Sequence, residues 1–133
     1  MTLTSIFPLT VQPVLDPRLF GVTNSKAMVW RIKLKLEIAK RRKYLSDFSG
    51  ISFIDCDMHE GILPRAVVPK GIDWSYMIYH EYNCFLLLRS EHIHPPSREW
   101  CLQKSFERYG KDQVCEWFYS LPWKVPPFKI ENY

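Results

Sequence analysis

Two hydrophobic periods compete in the stretch that follows residue 24. Trp30, Ile32, Leu34, Leu36 and Ile38 alternate with mostly charged residues, which is the period of a strand. Trp30, Leu34 and Ile38 also stand at i, i+4 and i+8, the spacing of one helical face, and Glu37 and Arg41 at i, i+4 would pair on a helix. Asn24 and Ser25 suit an N-cap, Gly50 offers a stop, and no turn signal interrupts the run to Lys43. The pattern therefore predicts a helix within residues 24–49.

The remaining pattern is of short elements. Pro8, Pro13 and Pro17 forbid a long helix in residues 1–23, so that segment reads as an extended arm with apolar residues to lay along a domain or a partner. Ile51 to Ile54 reads as a strand leading to Asp57 and His59, and Gly61, Pro64, Pro69 and Gly71 mark the loop behind it. Trp74 to Tyr79 is aromatic enough for a further short piece, and Asn83 to Leu88 is a second strand candidate. Ser97 can cap a helix over Arg98–Tyr109, Gly110 closes it, and another runs from Asp112 to Ser120. The Pro-rich tail after Leu121 reads as an extended strap. These elements predict one α+β domain.

Composition sharpens this picture in two places. At 133 residues, 47% hydrophobic and 15% aromatic, the chain is long enough and apolar enough for a modest core. Its net charge of +4 is uneven, because residues 26–43 hold eight Lys or Arg and a single acid, Glu37. A concentrated basic stripe favours polyanions more than the same charge scattered. If that stripe is helical, Arg31, Lys35, Arg42 and their neighbours form a solvent-facing cationic surface; an ordinary solvated face is the plain alternative. The longest apolar run, Cys84 to Leu88, is far short of the roughly 20 residues of a membrane span. No secretory pattern precedes it, so the cytoplasm or another reducing compartment is expected, with Cys56, Cys84, Cys101 and Cys115 as buried thiols.

The candidate chemistry lies between Asp55 and His92. Phosphodiester hydrolysis needs a base to activate water, a cation to carry charge on the phosphate, and positioning of both. Asp57-Met58-His59-Glu60, followed by Asn83 and then His92, offers imidazole, carboxylate and amide groups for those tasks. His80-Glu81 and His94 are rival metal groups. A zinc deaminase is excluded by the missing H-x-E and P-C-x-x-C patterns.

From Trp30 to Tyr109 the chain resembles the His-Asn-His (HNH) endonucleases, the ββα-metal group. Asp57 to Arg65 looks like the family's first strand and following loop, Tyr82 to Leu88 like its Asn-containing second strand, and Glu91-His92 like the histidine of its metal-bearing helix. The resemblance implies a ββα-metal motif preceded by a basic helix and followed by two short helices. It implies a core over 51–109, with residues 111–133 as a C-terminal helix and strap. It implies a single divalent ion, Mg²⁺ first and Mn²⁺ or Zn²⁺ next, and double-stranded DNA entered through the minor groove. His59, Asn83 and Glu60 would then serve catalysis, and His92, Asp57 and His59 the metal. Arg31, Lys33, Lys35, Lys40, Arg41, Arg42, Lys43 and Arg65 would bind nucleic acid.

The chain departs from the family in having His59-Glu60 where many members have His-His or Asp-His. It also lacks the flanking C-x-x-C pairs, so aromatic packing from Trp74, Phe85, Trp100, Phe106 and Trp117 would have to brace the motif. A compact homing-type endonuclease, monomer or homodimer, is the leading expectation. A non-catalytic nucleic-acid-binding or assembly protein on the same scaffold is the alternative.

Overall fold

Burial decides between the two periods. In the computed structural model, which describes residues 24–68, 77–121 and 128–133, helix α1 spans Asn24–Arg41. Ala27, Trp30, Leu34 and Ile38 are buried along one face, while Ile32 and Leu36 are more than half exposed. A strand would have put Ile32 and Leu36 on the same face as Leu34. The helix stops well before Gly50. Lys43 and Tyr44 take positive φ values of 55° and 59°, and the Tyr44 N–H closes on the Ala39 carbonyl at 2.9 Å. Two non-glycine residues in the left-handed region thus make the reversal for which Gly50 was expected.

The chain turns early because Ser46 and Asp47 are needed inside. Both are buried, and Asp47 is tied to the sheet through backbone and side chain together. Its N–H donates to the Leu86 carbonyl at 2.8 Å, and its Oδ2 accepts from the Leu86 N–H at 2.6 Å. An aspartate therefore satisfies the edge of a strand that no third strand covers among the described residues. The same carboxylate receives Arg42 from the end of α1 and Arg108 from a later helix.

The expected strand over residues 51–54 is only a single bridge, between Leu45 and Ser52. Pairing begins at Asp57, where Met58 is buried and Asp57 and His59 are only partly covered. Strand β1, Asp57–Glu60, pairs antiparallel with β2, Cys84–Leu87, in the register Asp57 with Leu87, Met58 with Leu86, His59 with Phe85 and Glu60 with Cys84. All four β2 residues are buried, as a short apolar run covered on both faces should be.

Helix α2, Arg89–Ile93, follows β2 directly and carries His92, so that residue lies within a helix of its own rather than ahead of the longer one. The Glu91 carboxylate accepts the Leu88 N–H at 2.8 Å and the Ser46 hydroxyl at 2.6 Å, fastening the start of α2 to the turn after α1. Helix α3, Arg98–Tyr109, starts on the Ser97 hydroxyl, which accepts from the Trp100 N–H. Gly110, at φ 90°, makes the corner into α4, Lys111–Tyr119. The fold is α+β, with four α-helices and a two-stranded antiparallel sheet among the described residues. None of those helices is long and apolar enough to cross a membrane. The arm at 1–23, the start of the 74–79 piece and residues 122–127 of the strap lie outside the described residues.

Removing one member of a buried charge cluster leaves the others uncompensated, typically at a cost of about 3–5 kcal/mol. Asp47→Ala strands two guanidinium groups and the Leu86 N–H, while the backbone bond to the Leu86 carbonyl remains. It is expected to lower the unfolding free energy by about 3 kcal/mol or more in urea melts. Lys33→Ala, on the exposed side of α1, should stay within about 0.5 kcal/mol of wild type.

Candidate active site

The hairpin and α2 bring the candidate residues together, and Asn83 makes the arrangement rigid. It precedes β2 in a single turn of 3₁₀ helix over Glu81–Asn83, and its side chain has no solvent exposure. Its Oδ1 accepts the Ile62 and Leu63 N–H groups at 3.0 and 2.8 Å. Its Nδ2 donates to the carbonyls of Leu63 and Ile78 at 2.9 and 2.8 Å. With the Gly61 N–H on the Asn83 carbonyl and Arg98 Nε on the Ile62 carbonyl, the loop leaving β1 is pinned at nearly every polar atom. An amide that makes two donations and two acceptances has no capacity left to bind a metal. Asn83 therefore sits behind the site as a positioning residue.

Gly61 explains how tightly that loop passes the next layer. A Cβ built there would lie 2.3 Å from Cys101 Sγ and 2.9 Å from Cys101 Cβ, on α3. Only a residue without a side chain lets the loop lie against α3 directly behind His59.

Alternation along β1 sorts its side chains. Asp57 and His59 share one face, with His92 from α2. The His59 and His92 rings meet edge to face with centroids 5.2 Å apart, and His92 Nδ1 lies 3.1 Å from Asp57 Oδ2. Asp57 and His92 keep about a third of their side-chain surface in solvent, so the cluster opens outward. Burial holds the His59 imidazole below its ordinary 6.5, and the neighbouring His92 pushes the same way. At neutral pH His59 is therefore an unprotonated base.

Glu60 points to the other face. It accepts Arg31 Nη2 at 3.2 Å, and the same nitrogen donates to the Met58 carbonyl at 3.0 Å. Burial raises its carboxyl above the usual range, and Arg31 opposes that without cancelling it. The structure gives Glu60 to the joint between β1 and α1, apart from the Asp57, His59 and His92 group.

The expected cationic surface on α1 is also corrected. Arg42 has a side chain only 10% exposed, paired with Asp47 and hydrogen-bonded to the Cys84 carbonyl and the Tyr109 hydroxyl. Arg41 pairs with the buried Glu81, and Arg31 with Glu60. These arginines neutralise acids that sequence reading left unpaired. Lys35 lies 3.4 Å from Asp55, and Lys40 is near Glu37. Lys33, Lys40, Lys43 and Arg65 are exposed, and Arg65 reaches the Tyr79 hydroxyl. His94 is exposed, and His80 stacks on Trp117 while accepting the Tyr82 N–H, so neither joins the cluster. The cysteines are free thiols, and burial pushes Cys101 up to about 12, far from a reactive thiolate.

Asp47, Glu81, Glu91 and Arg108 were missed as organising residues. One signal was available: isolated acids beside so basic a stretch had to have partners. Bracing of the motif comes from these acids as well as from aromatic packing, of which Phe85 against Trp100 is one example.

Searches against protein-family models, characterised proteins and solved structures gave no match. What the site can do follows from its own geometry. Among the described residues no group of three or more His, Cys, Asp or Glu side chains is placed to hold a metal ion. The 3.1 Å between His92 Nδ1 and Asp57 Oδ2 is nevertheless the spacing of two adjacent ligands on an ion with bonds of about 2.1 Å. Mg²⁺ commonly keeps several waters and takes one or two protein ligands plus substrate phosphate oxygens. Asp57 supplies a carboxylate of that kind and His92 an imidazole, and an ion between them would have to replace the hydrogen bond that now joins them.

The lowered value at His59 fixes the sign of its pH response. The folded state favours the neutral ring, so the associated stability is complete above about 6.5 and is lost as pH falls through the lowered value. An NMR titration is expected to place the His59 midpoint below 6.5, and His92→Ala should move it upward. A midpoint at or above 6.5 in the wild-type protein would contradict the burial argument.

Proposed function

We propose that the chain is a metal-dependent endonuclease of the HNH, ββα-metal type that hydrolyses phosphodiester bonds in double-stranded DNA. One observation carries the reading. A neutral imidazole on a strand faces a second imidazole on the following helix, the second already paired to a carboxylate on that strand, with a fully bonded asparagine behind them. Mutually positioned base and ligand groups that keep part of their surface in solvent are what phosphoryl hydrolysis requires.

In this reading Asp57 and His92 would hold the divalent ion, Mg²⁺ or Mn²⁺, which when bound would offset negative charge on the phosphate and on the departing oxygen. His59 takes a proton from water at its unprotonated ring nitrogen. The oxygen of that water forms a bond to phosphorus as the bond from phosphorus to the sugar oxygen breaks. Burial of His59 keeps the ring neutral before the step. Asn83 and Gly61 hold the loop behind it, so that the ring need not be ordered during the reaction. Glu60 and Arg31 keep β1 against α1. Lys33, Lys40, Lys43 and Arg65 are among the exposed basic groups that would meet the DNA backbone, a contact that salt would weaken.

The test is cleavage of plasmid DNA in Mg²⁺ or Mn²⁺. General-base catalysis contributes about 10²–10⁴-fold, so His59→Ala should lose at least about 100-fold while still shifting DNA in a gel. His92→Ala should lose a similar factor, and EDTA should abolish cutting. The wild-type rate should fall as pH drops through the lowered His59 value. Equal rates in all three proteins would refute the site. DNA binding in EDTA without any metal-dependent cutting would instead favour a binding module on the same scaffold.

A further inference from the structure

At the mouth of the site stands a basic side chain that the cleavage steps above do not use. Arg89 opens α2, and its side chain is 75% exposed. Its Nη2 lies 3.5 Å from Asp55 Oδ2 and 3.6 Å from Asp57 Oδ1. Asp57 therefore meets a cation on one oxygen and His92 Nδ1 on the other. Exposed pairs of this length shift an equilibrium only a few-fold, so the arrangement is readily exchanged. The contrast with Arg31, Arg41 and Arg42 is plain, since each of those is locked to a buried or half-buried acid.

We infer that Arg89 links metal uptake to phosphate binding, covering Asp57 until a divalent ion takes that carboxylate and then turning to a DNA backbone phosphate beside the one cleaved. The inference rests on the endonuclease reading and adds a residue to it. An ion held by Asp57 and His92 would repel a guanidinium 3.6 Å from the same carboxylate. Arg89 stands three residues before His92, on neighbouring positions of one short helix, so the displaced group remains next to any phosphate drawn to the ion. A planar guanidinium matches phosphate oxygens in a two-pronged contact, which a lysine does not.

The experiment compares wild type with Arg89→Gln, a surface change that leaves the fold intact. Calorimetric titration with Mn²⁺ alone should show the variant binding about two- to fivefold more tightly, because its carboxylate has no competing cation. DNA affinity is then measured across a KCl series with Mn²⁺ present, in a His59→Ala background that leaves the duplex uncut. There Arg89→Gln should reduce the slope of log affinity against log salt by about one, the mark of one lost phosphate contact. Arg89→Lys should keep most of that slope. Equal Mn²⁺ affinities, or a slope unchanged by Arg89→Gln, would overturn the assignment. A wild-type protein that takes up no Mn²⁺ at all would overturn the cleavage reading and this inference with it.

Discussion

Four hydrogen bonds from one buried amide set the geometry of this molecule's candidate site. Asn83 ties the loop at Ile62 and Leu63 to the carbonyl of Ile78, while its own carbonyl holds Gly61. Because Asn83 leads directly into β2, the loop that leaves β1 and the residue that enters its partner strand are fixed to each other. A slip of one residue would turn His59 to the α1 face and bring Glu60 to the His92 face. Each unmet backbone group buried in that loop would cost about 1–3 kcal/mol. The register therefore has a steep alternative, and the placing of His59 follows from a satisfied polar cluster more than from any contact of its own.

Charge follows the same division. A basic helix beside buried acids can either present its cations to solvent or neutralise those acids, and here the arginines do the second. Arg42 and Arg108 converge on Asp47, while Arg41 and the Tyr109 hydroxyl converge on Glu81. These links join α1 and α3 to the edge and base of the hairpin. Lysines occupy the more exposed positions, where a strongly hydrated ammonium is favoured, whereas the planar guanidinium with its five donors is suited to burial. The net positive charge of the helix thus overstates the field it offers a polyanion.

Much of this was legible in the chain, and the failures have physical causes. The i, i+4 spacing of Trp30, Leu34 and Ile38 revealed α1, because it buries a face that only one period can supply, and the uninterrupted apolar run after Asn83 revealed β2, which is buried on both faces. Gly110 and Ser97 marked helix ends through local chemistry. The end of α1 was misread because Lys43 and Tyr44 adopt positive φ without being glycine, a conformation dictated by the burial of Asp47 many residues away from its strand partner. The run at 51–54 looked like a strand since short apolar segments carry no period of their own, yet Ile54 is fully exposed. That His59, Asp57 and His92 would meet was an expectation of the resemblance, and the hairpin and α2 do bring them together. That Glu60 faces away from them follows from alternation, but only once the register is known. Long-range partners such as Asp47 with Arg108 leave no local trace.

The site is consequently built in two tiers of unequal strength. Behind His59 lie groups with complete hydrogen bonding and almost no solvent, where any loosening costs several kcal/mol. In front lie Asp57, His92, Asp55 and Arg89, partly or largely exposed and joined by pairs that water and salt weaken. The proposed hydrolysis of a charged polymer would need both. In that reading the base is held in one place and kept neutral, while the groups that would meet cation and phosphate exchange partners without disturbing it. The bond between the Ser46 hydroxyl and Glu91 connects the tiers, for it anchors the short helix that carries His92 to the same turn that buries Asp47. A helix of five residues has little stability of its own. Its position, and with it the separation of the two imidazoles, is therefore set by that anchor and by the sheet beneath.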